Sequence, residues 1–246
     1  MDGMLATVVG VGFVLGLRHA IDPDHVMAVT TMASQRTGVR RTSMVGAFWG
    51  LGHALSLGLA GGAILFLRLS VPPAVTDALE GLVGVMLILL GAIALRRSLR
   101  FRLHAHPHAH DGHTHVHFHA HSPSQAKAHA APQAHGHPHP LRGGLRPFLV
   151  GLVHGLAGSA GLALLAMAAA PTLAAGAAYL VVFAVGSIAG MLVLSALMSL
   201  PLAYLEARYA AFHRGVQLAA GLASVAFGVC VVVQRAWAGG ALAWLR

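Results

Sequence analysis

Runs of apolar residues, each about 20 long and so sufficient to cross the roughly 30 Å of bilayer hydrocarbon, recur along the chain and constrain its fold most. Of the 246 residues, 57% are hydrophobic and 9% are charged. Soluble domains carry about 25% charged residues, so a water-soluble globule of this composition is disfavoured. The sequence therefore predicts an all-α polytopic membrane protein.

The apolar runs predict six transmembrane helices. They lie near residues 4–33, 44–67, 77–97, 146–169, 174–200 and 214–234. We divide the chain into a first three-helix repeat at 1–98, a His-rich loop at 99–145 and a second three-helix repeat at 146–246. Because the loop has no apolar periodicity, we expect it to be disordered.

A weak internal repeat relates the two halves. Residues 13–19, FVLGLRH, align with residues 148–154, FLVGLVH, at an offset of 135 (154 minus 19). Each half has an odd number of predicted spans, so the second half would be inverted across the membrane. Inverted repeats are typical of secondary transporters, whose sites lie at the repeat interface near the membrane midplane.

The basic residues are concentrated in alternate loops, which sets the predicted orientation. These are Arg36, Arg40 and Arg41 in the first loop, Arg100, Arg102, Lys127 and Arg142 in the third, and Arg208 in the fifth. The positive-inside rule places these loops in the cytoplasm and both termini outside. The net charge of +9 is thus a topology signal, and we expect no nucleic-acid partner. We expect the inner membrane of a bacterium.

A polar cluster interrupts the first predicted span at residues 18–25, RHAIDPDH. An Arg or Asp at the centre of a lipid-facing helix costs about 2.5–3.5 kcal/mol, so Arg18, Asp22 and Asp24 should face the bundle interior or a water-filled cavity. Pro23 cannot donate a hydrogen bond to the His19 carbonyl and biases Asp22 away from helical geometry.

That break matters because it brings the two histidines of the cluster together. On an unbroken helix His19 and His25 would lie about 240° apart around the axis. With a break at Asp22-Pro23 they can converge. Two imidazoles and two carboxylates suit Ni²⁺, Co²⁺ or Zn²⁺ and are too rich in nitrogen for Mg²⁺ or Ca²⁺. The alternative is a structural ion-pair cluster in which Arg18 neutralises one aspartate.

Two further histidines lie within predicted spans. An intramembrane histidine either serves as a ligand or forms a hydrogen bond to a neighbouring helix, and both roles are open for His53. His154 is the repeat counterpart of His19 and is a candidate ligand. Cys230 is the only cysteine, which excludes a carrier that depends on paired thiols.

The predicted loop is unusually rich in histidine. The segment from His104 to His139 holds 13 of the 18 histidines. Neutral imidazoles bind divalent metals weakly, so the loop is a candidate buffer or sensor of cytoplasmic metal. The alternative is a plain solvated linker.

Two motifs resemble a known family of membrane proteins. His19, four further residues and Asp24-His25 resemble the H-x4-D-H signature of the nickel/cobalt transporter (NiCoT/NicO) superfamily. Residues 48–53, FWGLGH, are similar to its second motif, which carries a Gly-His pair. Residues 151–160, GLVHGLAGSA, resemble the branch of UreH-type urease accessory membrane proteins. Classical importers of the family have eight spans with the H-x4-D-H signature in the second, so the resemblance leads us to expect that this chain lacks the first.

The resemblance implies a function as well as ligands. His19, Asp24, His25 and His53 would bind the metal, Asp22 would supply charge or a fifth ligand, and Arg18 would limit the net negative charge. The chain would be a secondary transporter of Ni²⁺, with Co²⁺ as a second candidate substrate, and not an enzyme, with no prosthetic group. Partners would be the metal ion, the lipid bilayer and nickel-enzyme maturation proteins. Efflux through the same site and a membrane nickel chaperone are the alternatives.

Overall fold

The computed structural model describes residues 2–36, 38–100, 102–110, 113–121, 144–157, 172–206 and 210–238. Within these ranges the chain forms seven helices and one antiparallel pair of strands. The elements are α1 (Asp2–His19), α2 (Pro23–Ala33), α3 (Val39–Leu67), α4 (Pro73–Arg100), β1 (Arg102–His110), β2 (His113–His121), α5 (Gly144–Ala157), α6 (Leu173–Glu206) and α7 (Ala210–Ala238).

Four of these helices are long and apolar enough to cross a membrane. The spans are Val39–Leu67, Pro73–Leu99, Leu173–Pro201 and Arg214–Ala238, and they coincide with predicted spans two, three, five and six. Predicted span one is occupied by α1 and α2 together. Span four is represented by α5, which is described as far as Ala157. The chain is therefore a multi-pass membrane protein, and a total of six spans stays a prediction.

The helix surfaces reverse the polarity of a soluble protein. Large apolar side chains are on the outside, as at Leu59 with 66% exposure and Phe66 with 59%. Polar groups are inside, where Ser187 and Ser224 are fully buried. Interfaces of this kind, with small polar residues between helices, are typical of bundles whose solvent is lipid.

Two pairs of helices run parallel and approach closely at glycines. Residue numbers rise together on both members of each pair. The contacts are Gly12 with Tyr179 and Gly16 with Phe183 for α1 on α6, and Gly151 with Trp49 and Gly155 with Ser56 for α5 on α3. The absent side chains let the backbones meet, as small residues do in membrane helix pairs.

Two other pairs run antiparallel. Here the residue numbers rise on one helix and fall on the other. The contacts are Gly46 with Ser195 and Gly50 with Ile188 for α3 on α6, and Gly84 with Gly228 and Gly91 with Gly221 for α4 on α7. Helix α2 packs against α3, α4, α6 and α7, so this short helix connects the α4–α7 pair to the rest of the bundle.

The segment after α4 contains regular structure where we expected none. Strands β1 and β2 pair antiparallel, with Arg102 opposite His121 and His110 opposite His113. Residues 122–143 lie outside the described part of the chain. The expectation of a disordered loop over 99–145 therefore stays a prediction for the segment as a whole.

The α4–α7 contact predicts that Gly91→Ala destabilises the protein. A methyl group at Gly91 would meet the Gly221 carbonyl oxygen at 2.5 Å and Val225 Cγ2 at 2.8 Å. Overpacking of this kind costs about 1–3 kcal/mol. We expect a lower midpoint of thermal unfolding in detergent. Gly81→Ala on the same helix is the matched control, because nothing lies within 4 Å of its Cβ position. Equal midpoints for the two variants would contradict this packing.

Candidate metal site

The first predicted span is broken where Pro23 requires it. Helix α1 ends at His19 and α2 begins at Pro23. Pro23 has no N–H to donate to the His19 carbonyl, which instead accepts a hydrogen bond from the Asp22 N–H at 3.1 Å. Asp22 has φ −59° and ψ 144°, the extended geometry favoured before proline. The predicted break is confirmed, and the ring centroids of His19 and His25 lie 4.4 Å apart.

Asp22 orients His19 rather than capping α2. The side chain of Asp22 makes no capping hydrogen bond to the helix. Its Oδ2 instead lies 2.7 Å from His19 Nδ1. Because a carboxylate can only accept, the proton of neutral His19 is on Nδ1 and the lone pair is on Nε2. Nε2 faces His53 Nε2 at 3.2 Å, so α1 and α3 meet through two ring nitrogens.

Asp24 contacts two histidines, His25 in its own helix α2 and His154 in α5. Its Oδ1 accepts from the backbone N–H of His25 at 2.9 Å and lies 3.0 Å from His25 Nδ1. Its Oδ2 lies 2.9 Å from His154 Nε2. Since His154 is 130 positions further along the chain than Asp24, this contact holds the two halves of the protein together at the cluster.

The imidazoles and the carboxylates of the cluster differ in burial. His25, His53 and His154 are at most 1% exposed. The side chains of Asp22 and Asp24 are 46% and 33% exposed. The carboxylates therefore lie between the surroundings and the buried imidazoles. A divalent ion entering by this route would meet negative charge first and nitrogen ligands second.

Three buried ring nitrogens of the cluster have no hydrogen-bond partner among the described residues. They are His25 Nε2, His53 Nδ1 and His154 Nδ1. Buried polar atoms are nearly always paired, so each exception requires an explanation. A metal ion would satisfy such atoms, because neutral imidazole nitrogen is a common metal ligand.

Two overlapping sets of donors are close enough to hold an ion. One is His19, His25 and His53, and the other is Asp24, His25 and His154. Within each set the donor atoms lie within 4.8 Å of one another. Five of the six residues singled out in the sequence therefore occur in these sets. The sixth, Asp22, contacts the cluster through His19.

Two aromatic neighbours of the cluster were not singled out from the sequence. Trp49 is fully buried, and its ring centroid lies 5.2 Å from that of His25 and 5.6 Å from that of His154. The ring centroid of Phe183 lies 5.4 Å from that of His19. Trp49 precedes His53 by one helical turn, so the spacing of four in FWGLGH could have indicated it. No comparable local signal indicates Phe183.

Arg18 does not have the partner that we considered. Its side chain is exposed, and no ion pair joins it to Asp22 or Asp24 in the described ranges. The ion-paired contacts of both carboxylates are with histidines instead. The geometry therefore does not support a structural cluster in which Arg18 neutralises one of the aspartates.

Comparison with known proteins identifies the family. The NicO profile, described as "High-affinity nickel-transport protein", matches residues 5–239. The chain belongs to the NicO family. The resemblance inferred from the two motifs is thereby confirmed, and the NicO family is a transporter family rather than an enzyme family. Its members' transport of nickel agrees with a donor set of imidazoles and carboxylates.

A curated relative of this NicO protein covers nearly the whole chain. The urease accessory protein UreH of Bacillus sp. (strain TB-90) is 32% identical over 225 residues, which is 92% of this chain and 90% of UreH. No solved structure matches the chain. The similarity to a urease accessory protein agrees with the branch indicated by residues 151–160.

The cluster predicts that Ni²⁺ stabilises the bundle. A ligand that binds only the folded state at about 100 times its dissociation constant adds about 2.7 kcal/mol of stability. We expect Ni²⁺ to raise the thermal unfolding midpoint of the wild type, and His25→Gln to abolish that shift. His115→Gln, in the histidine-rich loop, is the control and should keep it. A full shift in His25→Gln would show that the stabilising ion binds elsewhere.

Proposed function

We propose that this NicO protein is a secondary transporter that carries Ni²⁺, and Co²⁺ as a second substrate, across the bacterial inner membrane. His19, Asp24, His25, His53 and His154 would bind the partly dehydrated ion. The observation that carries the proposal is the set of three buried, unpartnered ring nitrogens beside two partly exposed carboxylates. In a purely structural cluster, buried side-chain nitrogens are nearly always paired.

The role of Asp22 differs from that of the other five residues. Asp22 Oδ2 is bonded to His19 Nδ1 at 2.7 Å, and so it fixes the ring with Nε2 available. Carboxylates that hold a ligating histidine in this way raise the basicity of the ligand and set its orientation. We therefore assign Asp22 to orientation and charge, and the ligand role to His19.

The helix pairing supports two inverted three-helix repeats in a six-span bundle. The repeat relates α1 to α5, α3 to α6 and α4 to α7. Exchanging the two halves therefore replaces the α1–α6 pair by the α5–α3 pair, and both of these pairs are parallel. The same exchange maps the antiparallel pairs α3–α6 and α4–α7 onto themselves. His19 and His154, which the repeat relates, both contribute to the cluster. Such a site at a repeat interface suits alternating access.

The proposed orientation has both termini outside and the histidine-rich loop in the cytoplasm. The support is the concentration of Lys and Arg in loops one, three and five. The loop at 99–145 would act as a cytoplasmic buffer for metal. The sequence contains no G-x4-G-K-[ST] motif, so the driving force would be an ion gradient or a separate partner protein.

A second candidate function is nickel delivery to urease maturation proteins without net transport. It is favoured by the 32% identity to a urease accessory protein. Efflux through the same site is the reverse of import and uses the same residues. Flux across a vesicle membrane separates transport from delivery, and the change in cellular nickel separates import from export.

Purified protein in vesicles tests the proposal directly. We expect ⁶³Ni²⁺ flux in the wild type and a loss of flux of about tenfold or more in His19→Ala. Even residues that only support a metal ligand change metal affinity or activity by about 10–100-fold when they are mutated. His115→Gln in the loop is the control and should keep its flux. Unchanged flux in His19→Ala would exclude the site, and no flux in the wild type would favour the delivery function.

Nickel accumulation in whole cells distinguishes import from export. An importer raises cellular nickel when it is expressed, whereas an exporter lowers it and protects against toxic nickel concentrations. We expect import, so that expression of the wild type raises accumulated ⁶³Ni²⁺ and His19→Ala does not. Lower accumulation together with higher tolerance would establish efflux instead.

A further inference from the structure

The donors of the cluster are arranged as two overlapping sets rather than one cage. His19, His25 and His53 form the first set, and Asp24, His25 and His154 form the second. His25 alone belongs to both. On the basis of the proposed function, we infer that the ion occupies two successive positions that share His25. It passes between them by exchanging His19 and His53 for Asp24 and His154.

The spacing within each set suits a single ion. Two ligand atoms about 2.1 Å from a metal, at angles between octahedral and tetrahedral, are about 3.0–3.4 Å apart. His19 Nε2 and His53 Nε2 are 3.2 Å apart. In the second set, His154 Nε2 is 2.9 Å from Asp24 Oδ2 and His25 Nδ1 is 3.0 Å from Asp24 Oδ1. Both nitrogens donate to the carboxylate, so an ion binds there when each proton moves to the other nitrogen of its ring, which has no partner among the described residues. With that exchange of tautomer, small movements close either set around an ion.

His25 lies between the two sets. Its ring centroid is 4.4 Å from that of His19 and 4.2 Å from that of His154. The ring centroids of His53 and His154, by contrast, are 5.9 Å apart. Nδ1 of His25 faces Asp24, and Nε2 has no hydrogen-bond partner in the described part of the chain. An imidazole has two possible ligand atoms, so one ring can serve both positions in turn.

The two positions differ in chemistry. The first offers only imidazole, with Asp22 behind His19 as a positioning carboxylate. The second includes the carboxylate of Asp24 and so carries a negative charge. Conduction of an ion requires sites that are favourable to enter and still weak or numerous enough to leave. Two three-donor positions meet that requirement better than one cage of five ligands, which would retain the ion.

Visible absorption of Co²⁺ bound to the full-length protein in nanodiscs tests the inference. The baseline is His25→Gln, which removes the shared ring and retains an amide that can donate to Asp24. Because the histidine-rich loop is the same in every variant, its bound Co²⁺ cancels in the difference spectra. Monodisperse elution of each variant controls for folding. The double variant His19→Ala/His154→Ala serves as a second baseline if His25→Gln does not fold.

We expect His19→Ala and His154→Ala each to retain a Co²⁺ signal above the baseline, with different band positions. His19→Ala keeps the position that contains Asp24, whereas His154→Ala keeps the one with imidazoles alone. The double variant should match His25→Gln. Loss of the whole signal in either single variant would establish one shared cage, and wild-type spectra in both would show that neither residue binds the ion. Both results overturn the inference.

This test is independent of the transport assay. If the wild type carries no ⁶³Ni²⁺ but the two Co²⁺ signals persist, the transport function is wrong and the two positions stand. If the wild type carries ⁶³Ni²⁺ and a single variant loses all Co²⁺ signal, transport stands and the two positions are wrong. We expect flux in the wild type and loss of flux in both single variants, because each retains only half of the path.

Discussion

A backbone hydrogen bond that Pro23 cannot form determines the geometry of the site. Without that bond α1 ends at His19 and a separate helix, α2, begins at Pro23. Residues on either side of the break are therefore not related by the roughly 100° rotation per residue of a continuous helix. His19 and His25 then meet across the break at a centroid distance of 4.4 Å. The other donors come from helices that pack closely enough, through glycine, to reach this point.

The parts of the protein that follow from local rules were predictable from the sequence. Long apolar runs predicted the four helices that could span a membrane, and Asp22-Pro23 predicted the break. The members of the cluster within the broken span were indicated by residue type, and His53 by its motif. His154 was indicated by the repeat, and the ligand role of all of them stays a prediction. Each of these inferences depends on neighbours in sequence or on a periodicity that the chain itself displays.

What the sequence did not predict depends on packing between distant segments. Phe183 lies against His19 because Gly16 of α1 meets the backbone of Phe183 in α6, which is 167 positions further along the chain (183 minus 16). Within the described ranges, the ion-paired contacts of Asp22 and Asp24 are with histidines rather than with Arg18, which residue type alone did not indicate. The pairing of β1 with β2 was not foreseen, since alternating His and Ala resemble a solvated linker in composition.

The break between α1 and α2 also has an electrostatic consequence. A helix carries about half a positive charge at its N-terminus and half a negative charge at its C-terminus. A cation bound at the break would therefore lie beside the favourable end of α1 and the unfavourable end of α2. Asp22 directly precedes α2 and Asp24 lies in its first turn, where their charge offsets the positive end of the helix. The two carboxylates would therefore lower the electrostatic cost of placing a divalent ion at the start of α2, apart from any bond that they form to it.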